Sequence, residues 1–406
     1  MESDILNTNN LKVPPSTQRE VFLFTLIRTV INSGYRLVYP FLPLFAAGMG
    51  VSLAQMGVAF SIRSVLGAVS PFVASIADTH GRKKGMLLGL FLFWVGCMSS
   101  VIMPTFLGFV VGSSFVVIGN GVFIPSMQSY LGDRVPYQSR GRVLAITELS
   151  WALGFILGVP LLGFLLKTYN WWTPSIALSI VGFVLLVYLW LSVPSDFPTQ
   201  PEGQSLFSNF RLILRVGPVL VGLLTTFLFT VSNEVVNLVF GQWIRDNFGL
   251  AFETLTLASV IIGSSELASE FLSAVFLDKV GKVRTIFGSL LLNIVAVVLL
   301  AMSGKSFALA LLCLALFYIS FEFALISMIT YMSEIFPAAR ATVLAVTVAM
   351  FSMGRLGGSL IGPGLYQSGF WFTCLTSVFL NSAALLVFYF FLKHSKPSLA
   401  VRMTVK

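Results

Sequence analysis

Twelve blocks of 19 to 28 mostly apolar residues run along the chain, at 21–47, 51–77, 85–103, 105–132, 143–167, 172–193, 216–240, 254–277, 285–303, 306–333, 342–366 and 370–392. About 20 such residues, as a helix, cross the hydrocarbon core of a bilayer. Runs such as LLLNIVAVVLLAM stay apolar at successive positions. The strands of a membrane β-barrel would alternate instead. The pattern predicts an all-α membrane protein of twelve spans.

Composition agrees. Hydrophobic residues make up 56% and charged residues 10%, against about 25% charge in soluble domains. Both a water-exposed globular enzyme and a disordered chain are excluded, since the latter is polar and charged. The net charge of +9 does not point to nucleic acid, because the basic residues are scattered and form no long run. Residues 1–20 are polar and lack an apolar core with a cleavage site, so the first block is expected to remain and to act as the targeting signal.

The basic residues orient the chain. With an even number of spans both termini share one side. If that side is cytoplasmic, 18 of the 25 Lys and Arg lie inside, and only Lys167, Arg245 and Lys305 lie in outer loops. Such asymmetry in short loops is the positive-inside pattern. The expected location is a bacterial inner membrane, multi-pass, with both termini cytoplasmic.

A polar, proline-rich stretch (SDFPTQPEGQS) follows the sixth span. It divides the chain into a bundle at 1–193, a cytoplasmic linker at 194–215 and a bundle at 216–406. The halves repeat at a shift of about 200. Asp78-Thr-His-Gly81-Arg82 meets Asp278-Lys-Val-Gly281-Lys282. Arg142-Val-Leu-Ala-Ile-Thr meets Thr342-Val-Leu-Ala-Val-Thr, and Gly154 and Gly158 meet Gly354 and Gly358. Two parallel six-span repeats describe the major facilitator transporters.

The loop Asp78-Thr-His-Gly81-Arg82-Lys83-Lys84 resembles the major facilitator signature, and Asp133-Arg-Val-Pro136 through Arg140-Gly-Arg142 is similar to that family's second conserved loop. Tyr39-Pro40-Phe-Leu42-Pro43 and Gly154-x-x-x-Gly158-Val-Pro160-Leu-Leu-Gly163 resemble motifs of its twelve-span drug:proton antiporter branch. Where that branch has a Gly-Pro pair, this chain has Val159-Pro160.

The resemblance implies the major facilitator fold, with two pseudo-symmetric six-helix bundles. It also implies an inner conformational latch, carried here by Asp78, Gly81, Arg82, Asp133 and Arg142, and in the second half by Asp278, Gly281, Glu334 and Arg340. Asp133 is the expected partner of Arg82, a charge-assisted contact. The second copy is eroded, with Lys282 for arginine and Val283 interrupting the basic run.

Nine ionisable residues fall within spans: Arg28, Arg36, Arg63, Glu148, Glu234, Glu266, Glu270, Glu322 and Arg355. Each costs roughly 3 kcal/mol or more if it faces lipid. They mark a polar interior. Arg28, Arg63, Arg355, Glu148, Glu266, Glu270, Glu322 and Asn120 are candidates for substrate or proton binding. At 1.5 Å per residue, Arg28 and Glu148 come to about 13 and 9 Å above the inner side, close enough to pair. Glu266 and Glu322 each fall about 18 Å from an inner landmark. Arg36 and Glu234 come to about 25 and 27 Å and form a candidate outer gate.

Cys97, Cys313 and Cys374 sit in apolar blocks without ligand spacing, so buried thiols are expected and no metal. No cofactor or catalytic residue is expected, and no G-x-x-x-x-G-K-[ST] motif occurs. The chain reads as a monomeric secondary transporter of a small amphipathic or apolar solute, working by alternating access, with proton-coupled efflux. Two readings stand beside it: uptake or exchange of an organic anion, encouraged by the four interior arginines, and a membrane sensor or enzyme without transport.

Overall fold

A computed structural model describes residues 15–195, 213, 216–249, 252–336 and 339–394; the side chains of 15–16, 70–80, 137–138, 341 and 391–394 lie outside the description. The expected linker at 194–215 therefore lies almost wholly outside the described residues, as do the side chains of Asp78, His80 and His394.

Every regular element among the described residues is a helix, as apolar blocks in lipid require: a helix alone satisfies its backbone within one segment. The elements are α1 (Pro15–Arg36), α2 (Val38–Met49), α3 (Leu53–His80), α4 (Arg82–Ile102), α5 (Phe106–Arg134), α6 (Tyr137–Leu153), α7 (Val159–Thr168), α8 (Thr173–Ser192), α9 (Gly217–Asn237), α10 (Phe240–Phe248), α11 (Phe252–Val280), α12 (Lys282–Met302), α13 (Phe307–Ile335), α14 (Arg340–Gln367) and α15 (Phe370–His394). Among the described residues ten helical stretches are long and apolar enough to span a membrane, and the pair α1–α2, bent by 50°, makes an eleventh. The remaining expected span is the 28-residue α3.

Three details depart from twelve plain rods. The first span is broken at Leu37, and Phe41 leaves helical geometry (φ −98°, ψ 16°) beside Pro40 and Pro43. Proline removes an i→i−4 bond and crowds the preceding turn. The fifth span joins α6 to α7 through a single π turn at Gly154–Gly158, the irregularity typical of functional helices. The seventh block also stops earlier than its hydropathy suggests. It ends at Asn237 and is followed by α10, whose Phe240, Trp243 and Ile244 are buried while Asp246 and Asn247 are exposed.

The described residues form two compact units, those within Met1–Val38 and Val69–Pro201, and those within Tyr39–Ala68 and Glu202–Lys406. In the first unit α4 packs along α5 and α8, and α1 along α6. In the second, α9 packs on α14 and α15, and α12 on α13 and α15. Polar glue holds the second unit: buried Asn381 donates to Asn293 Oδ1 at 2.7 Å, and Asn293 donates to Phe317 O and Ser320 Oγ. Such bonds replace the hydrophobic driving force that lipid cannot supply between helices. Cys97, Cys313 and Cys374 are buried and unbridged.

Candidate functional site

In the first unit the close packing of α1 on the fifth span sets the chemistry. A side chain at Gly158 would collide with Ser33, and one at Gly154 would press on Asn32. This contact aligns Arg28 with Glu148. Arg28 Nη1 and Nη2 donate to Glu148 Oε1 and Oε2, both at 2.8 Å, in the bidentate fork that strengthens guanidinium–carboxylate pairs. Arg28 Nη1 also reaches Thr147 Oγ1, and Gln128 Nε2 donates to Glu148 Oε1 at 3.3 Å. The Arg28 side chain is 3% exposed, that of Glu148 43%. Lipid would penalise a carboxylate left open on one side at this depth. The pair expected from depth alone is therefore present. Asn120 on α5 is half-buried, and its Oδ1 has no hydrogen-bond partner among the described residues.

About two turns further along α1, Arg36 is buried over the rings of Phe155 (3.6 Å) and Trp151 (4.2 Å), and it donates to Trp151 O at 3.1 Å. The aromatic faces replace part of its hydration by cation–π attraction.

The second unit holds a carboxylate centre that sequence spacing only half revealed. Glu234 is 1% exposed. Its Oε1 accepts from Tyr39 Oη (3.3 Å) and Ser359 Oγ (3.1 Å), and its Oε2 from Asn237 Nδ2 (3.0 Å). Arg355 lies one turn before Ser359 on α14. Tyr318 on α13 donates to Asn237 Oδ1 and so fixes that amide. The helices α2, α9, α13 and α14 thus converge on one acid. Gly358 makes room for its stem: a Cβ there would lie 2.5 Å from Glu234 Cβ. Of the two residues expected to form the gate, Arg36 lies against the rings of Phe155 and Trp151, and Glu234 accepts from Tyr39, Ser359 and Asn237. In the sequence Tyr39 stands in a motif with no sign of this contact, and Asn237, Tyr318 and Ser359 do not stand out. The available signal was helical spacing: Asn237 lies three residues after Glu234, and Ser359 four after Arg355.

Arg63 is buried, with its guanidinium 4.6 Å from the Phe60 ring, which packs edge-on to Tyr39 at 4.8 Å. Glu266 and Glu322 are buried on α11 and α13, and Glu270 is half-buried. Ser269 Oγ donates to Ile319 O at 3.1 Å and fixes the register of these two helices, which run in the same direction. Glu266 lies three residues before that contact and Glu322 three after, so their depths differ by about 9 Å. The equal depth expected from the loop landmarks is not found, because the two helices extend unequally past their contact.

At the other end of each unit, Gly81 and Gly281 take φ of 104° and 90°, a conformation that favours glycine. They turn the chain from α3 to α4 and from α11 to α12. Arg82 Nε lies 3.4 Å from Asp133 Oδ2, as expected. Lys282 pairs with Glu334 in the equivalent place, and Arg340 Nε donates to Ser333 O. Arg142 and Asp278 are exposed. Asp78, the remaining latch residue, lies outside the described side chains. Among the described residues no cluster of three metal-ligating side chains occurs.

The family model described as Major Facilitator Superfamily matches residues 24–232 and again 222–404. Similar relatives include the uncharacterized MFS-type transporter YceJ of Bacillus subtilis, 26% identical over 86% of this chain and 89% of its own length. The multidrug resistance protein MdtG of Proteus mirabilis is 24% identical over 86% and 90%. Among solved structures, the nucleoside transporter NupG superposes with a TM-score of 0.76 over 93% of this chain and 100% of its own, at 12% identity. A bacterial homolog of the human lysosomal transporter Spinster, inward-facing and occupied, gives 0.74 over 95% and 100%, at 14% identity.

Proposed function

This chain belongs to the Major Facilitator Superfamily of transporters, and we propose that it exports a small amphipathic or apolar solute in exchange for protons by alternating access. The latch end then faces the cytoplasm, as the charge asymmetry of the loops favours. The observation that carries the reading is the Arg28–Glu148 pair, a buried cation holding a carboxylate that keeps access to water within helices of membrane-spanning length. Such a group can exchange a proton or a ligand cation while its partner stays fixed.

Export is favoured over import by the multidrug resistance relatives. Glu266, Glu270 and Glu322 extend the ionisable interior into the second bundle. Glu234 and its ligands form the outer lock: Tyr39 comes from the first repeat, and its hydroxyl must leave Glu234 when the outer side opens. Arg82–Asp133 and Lys282–Glu334 form the inner latch of the two repeats.

The test is transport in proteoliposomes holding the full-length protein, with an amphipathic cation such as ethidium, with and without an imposed pH gradient. Accumulation that collapses with the gradient supports coupled exchange. Gradient-independent movement removes the proton from the mechanism. A second reading, exchange of an organic anion, draws on the buried arginines Arg28, Arg36 and Arg63. It predicts movement of aromatic carboxylates and none of ethidium.

A further inference from the structure

The second unit holds a cavity of about 640 Å³, within the range of small-molecule sites. It lies at the end opposite the latch and away from the interior charges. One wall is apolar and comes from the first repeat, with Pro43, Ala46 and Ala47 of α2. The facing wall comes from the second repeat: α10 contributes Arg245, Asp246 and Asn247, and the end of α14 contributes Tyr366 and Gln367.

The polar wall is built and rigid. Trp243 of α10 stacks on Phe370 with centroids 4.4 Å apart and planes 15° from parallel. Both oxygens of Asp246 are already engaged, Oδ1 by Gln242 at 2.9 Å and Oδ2 by Tyr366 at 2.6 Å. Arg245, half-buried, has no hydrogen bond or ion pair for its side chain among the described residues, nor do Asn247 and Gln367. What the cavity leaves open is therefore one guanidinium and two amides against an apolar shelf. That set complements an acceptor-rich anionic group on an apolar body, because a guanidinium recognises carboxylate and sulfonate oxygens in a plane.

We propose that this cavity is an external site for a small amphipathic organic anion, and that its occupant clamps the outer ends of the two repeats together and slows transport. The clamp follows from the two walls. An occupant that touches both binds only while they are apposed, so its binding energy favours that state by mass action. The effect on transport rests on the alternating-access reading above; binding itself does not.

The experiment titrates purified full-length protein in detergent with 2-naphthalenesulfonate by calorimetry, with 2-naphthol as the neutral counterpart. The expected result is saturable one-site binding of the sulfonate, at least tenfold weaker for Arg245→Gln, for Ala47→Phe (which fills the cavity and keeps the charge) and for the naphthol. Equal binding by wild type and both variants, or equal binding of the naphthol, overturns the site. In proteoliposomes, sulfonate added outside should slow wild-type transport more than that of Arg245→Gln, each measured against its own uninhibited rate. Arg245-dependent binding without any slowing overturns the clamp and leaves the site. If wild type transports nothing, the functional reading fails while calorimetry still decides the site.

Discussion

Tyr39 Oη donates to Glu234 Oε1 at 3.3 Å, across 195 residues of sequence. The donor sits just past the break of the first span and the acceptor near the end of α9, so a residue of each repeat meets at one buried carboxylate. Hydrogen bonds to charged groups contribute about 1.5–3 kcal/mol. Tyr39→Phe should therefore shift the protein toward the outward-open state, read as faster labelling of a reporter cysteine at Ala47. Ser359→Ala removes a donor from the same oxygen without touching the first repeat and should change labelling less. Equal effects of the two variants would show that the Tyr39 contact is not special to gating.

The Arg28–Glu148 pair is asymmetric, with side-chain exposures of 3% and 43%. Removing Glu148 leaves a buried guanidinium without its carboxylate, a loss that runs to about 3–5 kcal/mol for fully buried pairs. Removing Arg28 leaves a carboxylate that water already reaches. Glu148→Gln should thus lower thermal stability in detergent more than Arg28→Met, although both should impair transport. The reverse order would contradict the burial of Arg28.

Glycines on α14 differ in what surrounds them. A Cβ at Gly358 would sit 2.5 Å from Glu234 Cβ and 3.0 Å from Val231 O, whereas one at Gly364 would meet nothing within 4 Å. Gly358→Ala should destabilise by about 1–3 kcal/mol through overpacking. Gly364→Ala should be neutral or stabilise by up to about 1 kcal/mol, since it restricts the unfolded chain in a compatible helix. Thermal unfolding of the two variants side by side checks this. Equal melting temperatures would mean that α9 and α14 separate more easily than their packing indicates.

Arg82 Nε and Asp133 Oδ2 are 3.4 Å apart, and the Asp133 side chain is 56% exposed. Exposed pairs contribute only about 0–1 kcal/mol. Arg82→Ala should leave unfolding nearly unchanged yet reduce transport, because a conformational latch works on the balance between two folded states. A variant that transports normally would reduce Arg82 to a topology determinant.

Buried carboxylates in the second bundle are tested through coupling. Glu266→Gln and Glu322→Gln should each weaken the dependence of ethidium transport on the pH gradient, and not by the same amount, since Ser269–Ile319 places them at different depths. If both variants retain full gradient dependence, the proton is carried elsewhere, with Glu148 first in line.

The sequence by itself determined the spans, the repeat and the interior charges. Lipid permits only helices of a fixed minimum length, so apolar block length translates directly into architecture. Depth along a helix follows from residue count, which is why the Arg28–Glu148 pair is legible in the sequence. Residue count says nothing about which way a side chain faces or where two helices cross. The break after Arg36, the turn into α10 and the gathering of Tyr39, Asn237, Tyr318 and Ser359 around Glu234 depend on crossing points set by packing, among them Gly358 against the Glu234 stem. The offset between Glu266 and Glu322 has the same origin. Only the tertiary structure decided these features, because helix rotation and tilt are properties of contacts between segments and not of any one segment.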